Sequence, residues 1–333
     1  MDKIERKHRR TVLLMGAALV LCVLGSFTLG RYPVSLRELL GVLGYRMGLP
    51  IKSFWTSSVE AAVWNIRLPR VILSVLVGAC LAAAGGAYQG VFQNPMASPD
   101  ILGASAGAGF GAALAILLGA SSMGITIGAF AASLLTVALV FNVSRHARGD
   151  RVLGLVLAGI MISSLFQSGT SFLKLVADPN NQLPQITYWL MGSLSGAKWS
   201  DIGFVLIPML SGLVPLLLLR WQLNVITMGD DEARAMGVDP RKIRLWIAVT
   251  STLVTASAVS VSGMIGWVGL VIPHMMRRLV GSDYRFLMPA SMLGGGIFLL
   301  IVDNVSRAVA GIPIGILTAF IGAPFFLWLI TGK

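Results

Sequence analysis

The chain has 333 residues, 56% of them hydrophobic and only 12% charged, with a formal net charge of +12. Soluble domains are roughly 45–50% apolar and about 25% charged, so this composition, with a mean hydropathy of +0.81, indicates a polytopic membrane protein. The positive excess matches the positive-inside bias of membrane loops, whereas a nucleic-acid binder would need a basic soluble domain with a recognition motif, and none occurs.

Residues 1–26 join a basic start to an apolar run. No small-x-small cleavage site stands out and more spans follow, so this stretch reads as an uncleaved first helix. At about 20 apolar residues per crossing, the chain predicts ten spans. They are Val12–Leu29, Val71–Val91, Ile101–Leu118, Ile125–Val143, Val152–Val176, Ile202–Leu219, Leu245–Val261, the short Met264–Met276, Phe286–Val305 and Ile314–Ile330. The 38 glycines fit, because small residues let membrane helices approach closely. Between the second and third spans, Asn94-Pro95 and Ser98-Pro99 break the helix. The segment Ala177–Ser200 is polar, with a short surface helix expected at Ile186–Leu194.

Loop charges set the orientation. With the N-terminus inside, Arg145–Arg151, Arg220–Arg244 and Arg277–Arg285 are all cytoplasmic basic loops. Two places break the rule. The first external loop carries Arg31, Arg37, Arg46, Lys52, Arg67 and Arg70, and Arg307 sits at the external end of the ninth span.

Several chemistries are missing. There is no GxxxxGK[ST] phosphate loop. His8, His146 and His274 are far apart, and with Cys22 and Cys80, both in apolar runs, they give no metal-ligand spacing. No nucleophilic triad or carboxylate pair stands out. Ionisable residues inside the spans, which ion-coupled carriers use, reduce to Asp303 beside Asn304 and Arg307. Because Asp303 and Arg307 are four apart on one helix, a local ion pair is the preferred reading over a proton relay. Energy is therefore expected from a separate subunit.

Long stretches in a fixed order then resemble the permease subunits of bacterial ABC importers for iron–siderophores, haem and cobalamin (the FecCD/BtuC type). They are Arg67–Arg70, Gln89–Gly103, Tyr188–Gly192, Gly229–Val238, Val268–His274 and Gly322–Phe325. The resemblance runs from Arg67 to Ile330. It implies an all-α, ten-helix type II permease as a single domain over 1–333. It further implies a bacterial or archaeal inner-membrane location with both termini cytoplasmic, a second permease copy (identical or related), two ATP-binding subunits holding ATP and Mg, and an external substrate-binding protein. No cofactor is expected in this chain itself.

The resemblance also assigns residues. Gly229–Arg244 becomes the ATPase-coupling element, with Asp230, Asp231, Glu232, Ala233, Arg234 and Met236 leading to a stop at Gly237. Acidic residues suit a helix start, and Asp239-Pro240 suits the start of the next helix. A solvated connector is the alternative. Arg67, Arg70 and Arg307 match arginines that meet acidic side chains of the binding protein, a task suited to the planar guanidinium; contact with lipid phosphate is the alternative. Asn94, Pro95 and Met96 match the turn that narrows the cytoplasmic end of the path, with turn chemistry alone as the alternative. Gln89, Gln93, Ser105 and Gln167 either line the path or bond between helices. Trp267, Tyr284 and Ile312 depart from the family pattern. Iron–siderophore is the first-choice cargo, with haem, cobalamin or an oxyanion as alternatives. An ion-driven secondary carrier using Asp303 is the rival class.

Overall fold

The computed structural model describes residues 3–29, 34–146, 151–309 and 311–331, so Arg31 and part of the basic loop Arg145–Arg151 lie outside the described residues. Among the described residues every regular element is helical. Helix α1 (Lys3–Thr28) runs along the outside of the bundle. The expected loop Arg31–Arg70 is largely structured. Ser35 caps α2 (Leu36–Arg46) by accepting the Glu38 N–H at 3.2 Å, while the Glu38 carboxylate accepts the Ser35 N–H at 2.9 Å, a capping box. Thr56 then caps α3 (Ser57–Ala61), which winds as a π-helix through Ala62–Arg67 into α4 (Leu68–Val91). Pro69 explains the wide turn: it has no N–H to bond the carbonyl of Asn65 and its ring crowds that carbonyl.

Helix α4 is the axis of the molecule. It is buried along most of its length, against α9 (Trp199–Leu218), α12 (Pro240–Ser262), α13 (Val268–Val280) and α14 (Tyr284–Ala308). In lipid, apolar burial gives little drive for helices to associate, and close backbone approach takes its place. Two crossings show it. A Cβ on Gly78 would collide with the carbonyl of Gly295, and one on Gly85 with the carbonyl of Gly269. A second, alanine-rich cluster joins α5 (Ala104–Leu117), α6 (Ser122–Arg145), α7 (Arg151–Val176) and α8 (Gln182–Leu190). Two short elements, α10 (Arg220–Met228) and α11 (Asp230–Ala235), and the 18-residue α15 (Ile314–Thr331) at the C-terminal end complete the order.

Among the described residues, seven helices are long and apolar enough to cross a membrane: α1, the continuous α3–α4 rod, α6, α7, α9, α12 and α14. The other three expected spans fall on shorter elements. Helix α5 has 14 residues and α13 has 13, and 14 residues rise only about 21 Å against a hydrocarbon core of about 30 Å. Each is shortened at its start. The expected third span begins instead as a 3₁₀ turn, Pro99–Leu102, closed by Gly103 at φ +77°. Before α13 the chain is irregular over residues 263–267 and enters the helix through Trp267 at φ +71°. Gly263 and Ile265 of this irregular stretch are buried in protein, and beside it the Ser193 N–H donates to the carbonyl of Ser262, the last residue of α12, at 2.7 Å. Such breaks are tolerated at membrane depth only in that setting.

Candidate functional site

At the end of the bundle where α4 begins and α14 ends, the arginines at 67, 70 and 307 converge. Asp303, on α14, is fully buried. Arg70 grips it with Nε at 2.9 and 3.1 Å from the two carboxylate oxygens and Nη2 at 2.8 Å. Arg307, one turn further along α14, holds Nε at 3.4 Å from the same carboxylate. Its Nη2 donates to the carbonyl of Ser26 at 3.1 Å and the Ser26 hydroxyl at 2.6 Å. Arg67 is 6% exposed and donates to the carbonyl of Phe27. One carboxylate thus ties the first turn of α4 to the last turns of α14, and Arg307 and Arg67 tie the last turn of α1 to both. The Asp303–Arg307 spacing expected from sequence is present, and Arg70 joins it from 233 residues away. All three guanidiniums face inward in this conformation.

At the opposite end a polar mesh takes the place of the hub. The turn Asn94, Pro95 and Met96, expected from the resemblance to narrow the path, is exposed. Asn94 Oδ1 accepts the Met96 N–H at 2.8 Å, a local turn bond. Gln93, at φ +47°, donates to the carbonyl of Ile226 at 3.1 Å and anchors the turn to α10. Gln89 is 3% exposed, so it does not line an open path here. It bridges helices, donating to the carbonyls of Gly269 and Leu270 at 3.4 and 3.3 Å and accepting from Arg277. Arg277 also donates to the Tyr284 hydroxyl at 3.3 Å, which donates in turn to the Gly86 carbonyl at 3.0 Å. Asn224, on α10, accepts the Tyr284 N–H at 2.8 Å and donates to Asp283 at 2.7 Å. Burial pushes the Asp283 carboxyl up, yet the bonds from Arg285 and Asn224 outweigh it and hold the carboxyl below its ordinary value.

Sequence reasoning placed Arg277 in a basic loop and missed the mesh. Helix α13 in fact continues to Val280 and stops at Gly281, φ +74°. That turns Arg277 toward α4. The signal was present as Gly281 followed by Asp283, a helix stop and the cap of the next helix.

Helix α11 stands clear of the bundle. Its end is a Schellman motif: Gly237, φ +77°, donates to Arg234 O at 3.0 Å, and Val238 N–H donates to Ala233 O at 2.9 Å. Asp231, Glu232, Arg234, Met236 and Gly237 face solvent. Ala233 does not: it is fully buried against Val225 and Val238, so it seats the helix and offers no contact surface. The helix expected to start at Asp239-Pro240 is the 23-residue α12, capped by Asp239, whose first turns follow α11 directly. Arg244 braces the corner, donating to Asp230 at 3.0 and 2.6 Å. That bond, more than any other cause, holds the Asp230 carboxyl below its ordinary value.

Two further concave surfaces lie among the helices. A cavity of about 310 Å³ between α6, α8, α9 and α12 is rich in hydroxyls, among them Ser122, Thr126, Ser193, Ser260 and Ser262. An apolar groove of about 700 Å³ runs past Met191, Met264, Trp267, Ile316 and Phe320. Ser105 donates to Asp100, and Gln167 is exposed on α7. Among the described residues, no group of three or more His, Cys, Asp or Glu is placed to hold a metal ion.

Comparison with known proteins covers nearly all of the chain. Residues 18–332 match the model of the FecCD transport family. The hemin transport system permease protein HmuU of Yersinia pestis is 38% identical over 334 residues, covering 96% of this chain and 95% of its own. The molybdate import system permease protein MolB of Haemophilus influenzae is 38% identical over 319 residues, covering 94% of each. A solved inward-facing ABC transporter assigned to the metal-chelate type superposes with a TM-score of 0.86 at 36% identity, covering 98% of this chain and 100% of that one.

Proposed function

The chain belongs to the FecCD transport family, and from that premise we propose that it is one half of the membrane path of an importer that carries a metal chelate inward. As a permease of the iron–siderophore, haem and cobalamin importers it is a multi-pass inner-membrane transport subunit, and the family implies ATP-binding subunits, a binding protein and a second permease. In our reading α5, α13 and α15 complete ten crossings, both termini are cytoplasmic, and two ATPases bear Mg-ATP. The Asp303 end is external and receives the binding protein through Arg67, Arg70 and Arg307. The α11 end is cytoplasmic, and the exposed Asp231, Glu232, Arg234, Met236 and Gly237 engage the ATPase. ATP-driven closure then shifts the turn at Asn94–Met96 through the Gln89–Arg277–Tyr284 mesh. Gln167, which is exposed, and the apolar groove are the candidate walls of the path between two copies, while the buried Ser105 bonds to Asp100 behind them.

Iron–siderophore is the cargo favoured here, with haem or cobalamin next; the name of the MolB relative keeps an oxyanion in view. The scarcity of metal ligands supports a cargo that arrives already wrapped, because a bare ion would need protein donors.

One observation carries the ATP-driven reading over an ion-driven carrier. The buried carboxylate such a carrier would use, Asp303, already has both oxygens held by Arg70 and faces Arg307 as well. The test is uptake into proteoliposomes with and without the ATPase subunit. Uptake is expected only with the ATPase subunit and ATP; uptake driven by an ion gradient in its absence would sink the proposal.

A further inference from the structure

We infer that Asp303 is a built-in competitor of the acidic partner: it holds Arg70 until a partner carboxylate takes that arginine over. This rests on the reading that the Asp303 end receives the binding protein, and it goes beyond it. Arg70 holds the carboxylate through two nitrogens that converge on Oδ1, Nε at 2.9 Å and Nη2 at 2.8 Å, with Nε also 3.1 Å from Oδ2. These are charge-assisted guanidinium–carboxylate bonds, so a second carboxylate replaces the first without a new kind of bond. At most 11% of the Arg70 side chain is exposed. A partner therefore reaches it only if the arginine turns outward and leaves Asp303.

The departure requires a remedy, because Asp303 is fully buried and an unpaired buried charge is strongly unfavourable. Arg307 supplies it. Its Nε is buried, makes no hydrogen bond among the described residues, and stands 3.4 Å from the carboxylate. A small shift along the same helix closes that gap. Two guanidiniums share one carboxylate here, so one can leave while the other keeps Asp303 neutralised. Arg70 is the one placed to leave. It sits in the first turn of α4, just after the π-wound stretch Ala62–Arg67, whereas Arg307 is also fastened to Ser26.

The exchange has a mechanical consequence. The Arg70–Asp303 pair ties α4 to α14 at this end. When a partner carboxylate takes Arg70, that tie opens while the Arg307 and Arg67 ties to α1 remain. Docking would then loosen the external mouth of the permease by removing one specific cross-link.

The experiment uses the full importer in nanodiscs, with binding-protein affinity measured for wild type, Asp303→Asn, Arg70→Gln and the double variant. Asparagine keeps an acceptor for Arg70 but removes the charge. Asp303→Asn should tighten docking on the order of tenfold, and in the Arg70→Gln background the same change should do nothing, the signature of a coupled pair. Equal or weaker docking of Asp303→Asn, with ATPase subunits still assembled, would overturn the inference. An Arg70→Gln permease that docks like wild type would instead remove the docking assignment beneath it. Should Asp303→Asn fail to assemble, spin-labelled noncanonical residues at the exposed positions Ile66 and Val305 of an otherwise native importer give a second reading. Docking should lengthen their separation, and an unchanged distance in the docked complex would refute the hand-over.

Discussion

The molecule contains the same bond twice in opposite settings. Arg70 grips Asp303 and Arg244 grips Asp230, each with two guanidinium nitrogens on one carboxylate. Asp303 is fully buried between three helices, whereas the Asp230 side chain is 39% exposed on a helix that stands in solvent. Burial changes what the bond does. In the low dielectric Asp303 cannot lose both arginines without becoming a bare charge, so the hub acts as a clamp in which one arginine stays while the other is exchanged. At the surface, water and salt take up either charge, so the Asp230 pair sets an angle rather than stability. The Gln89–Arg277–Tyr284 mesh lies between these cases, with one charge spread over mostly neutral acceptors.

Removing one partner of the hub is the largest expected effect. Asp303→Leu leaves Arg70 and Arg307 facing an apolar side chain and should cost about 3–5 kcal/mol, read as a lower unfolding temperature of the purified permease and poor yield. The triple variant Asp303→Leu, Arg70→Met, Arg307→Met should recover most of that stability, since a buried ionic group replaced by apolar residues of similar volume is often neutral. Recovery without the triple change would show that the hub is not a buried ionic unit.

The mesh should yield by smaller steps. Arg277→Met removes a charged donor from Gln89 and Tyr284 and should cost about 1.5–3 kcal/mol, while Tyr284→Phe deletes only the hydroxyl and should cost about 1 kcal/mol. Unfolding midpoints of the two variants check the order. If Tyr284→Phe is the more damaging, the hydroxyl's bond to Gly86, and not Arg277, holds this end together.

How legible these regions were depends on sequence distance. The Asp303–Arg307 pair is four residues apart and could be read directly, as could Gly237 as a stop, because both are local. Arg70 could not be joined to Asp303, because nothing local records which face of α4 meets α14; the Gly78–Gly295 crossing decides it. Arg277 was misplaced because positive-inside counting treats a basic residue near a helix end as loop, whereas a helix that continues one more turn can aim it inward. The spans α5 and α13 were hydrophobic enough to recognise, but their shortening depends on left-handed backbone at Gly103 and Trp267. Trp267 is the less readable, since an aromatic residue rarely adopts φ above zero; here its ring packs against Gly322, where a Cβ would collide.

The exposed pair should give the smallest stability effect and the clearest pH signature. Arg244→Gln removes the brace on Asp230, and because that carboxylate is more than a third exposed, its loss should change stability by no more than about 1 kcal/mol at neutral pH. The folded carboxyl lies below its reference value of 3.8, chiefly through the Arg244 bond. A carboxyl depressed in the folded state contributes stability above its unfolded pKa and loses it as pH falls through the folded one. The unfolding temperatures of wild type and Arg244→Gln should therefore stay a constant small distance apart from pH 8 to 6 and converge only below about pH 4. Coupling should respond differently: with the corner between α11 and α12 unbraced, stimulation of ATPase activity by the loaded binding protein should fall several-fold while unstimulated hydrolysis persists. A stability gap that widens on acidification would mean that Asp230 draws its stabilisation from another group, and that the corner is held by Asp239 and the Schellman turn alone.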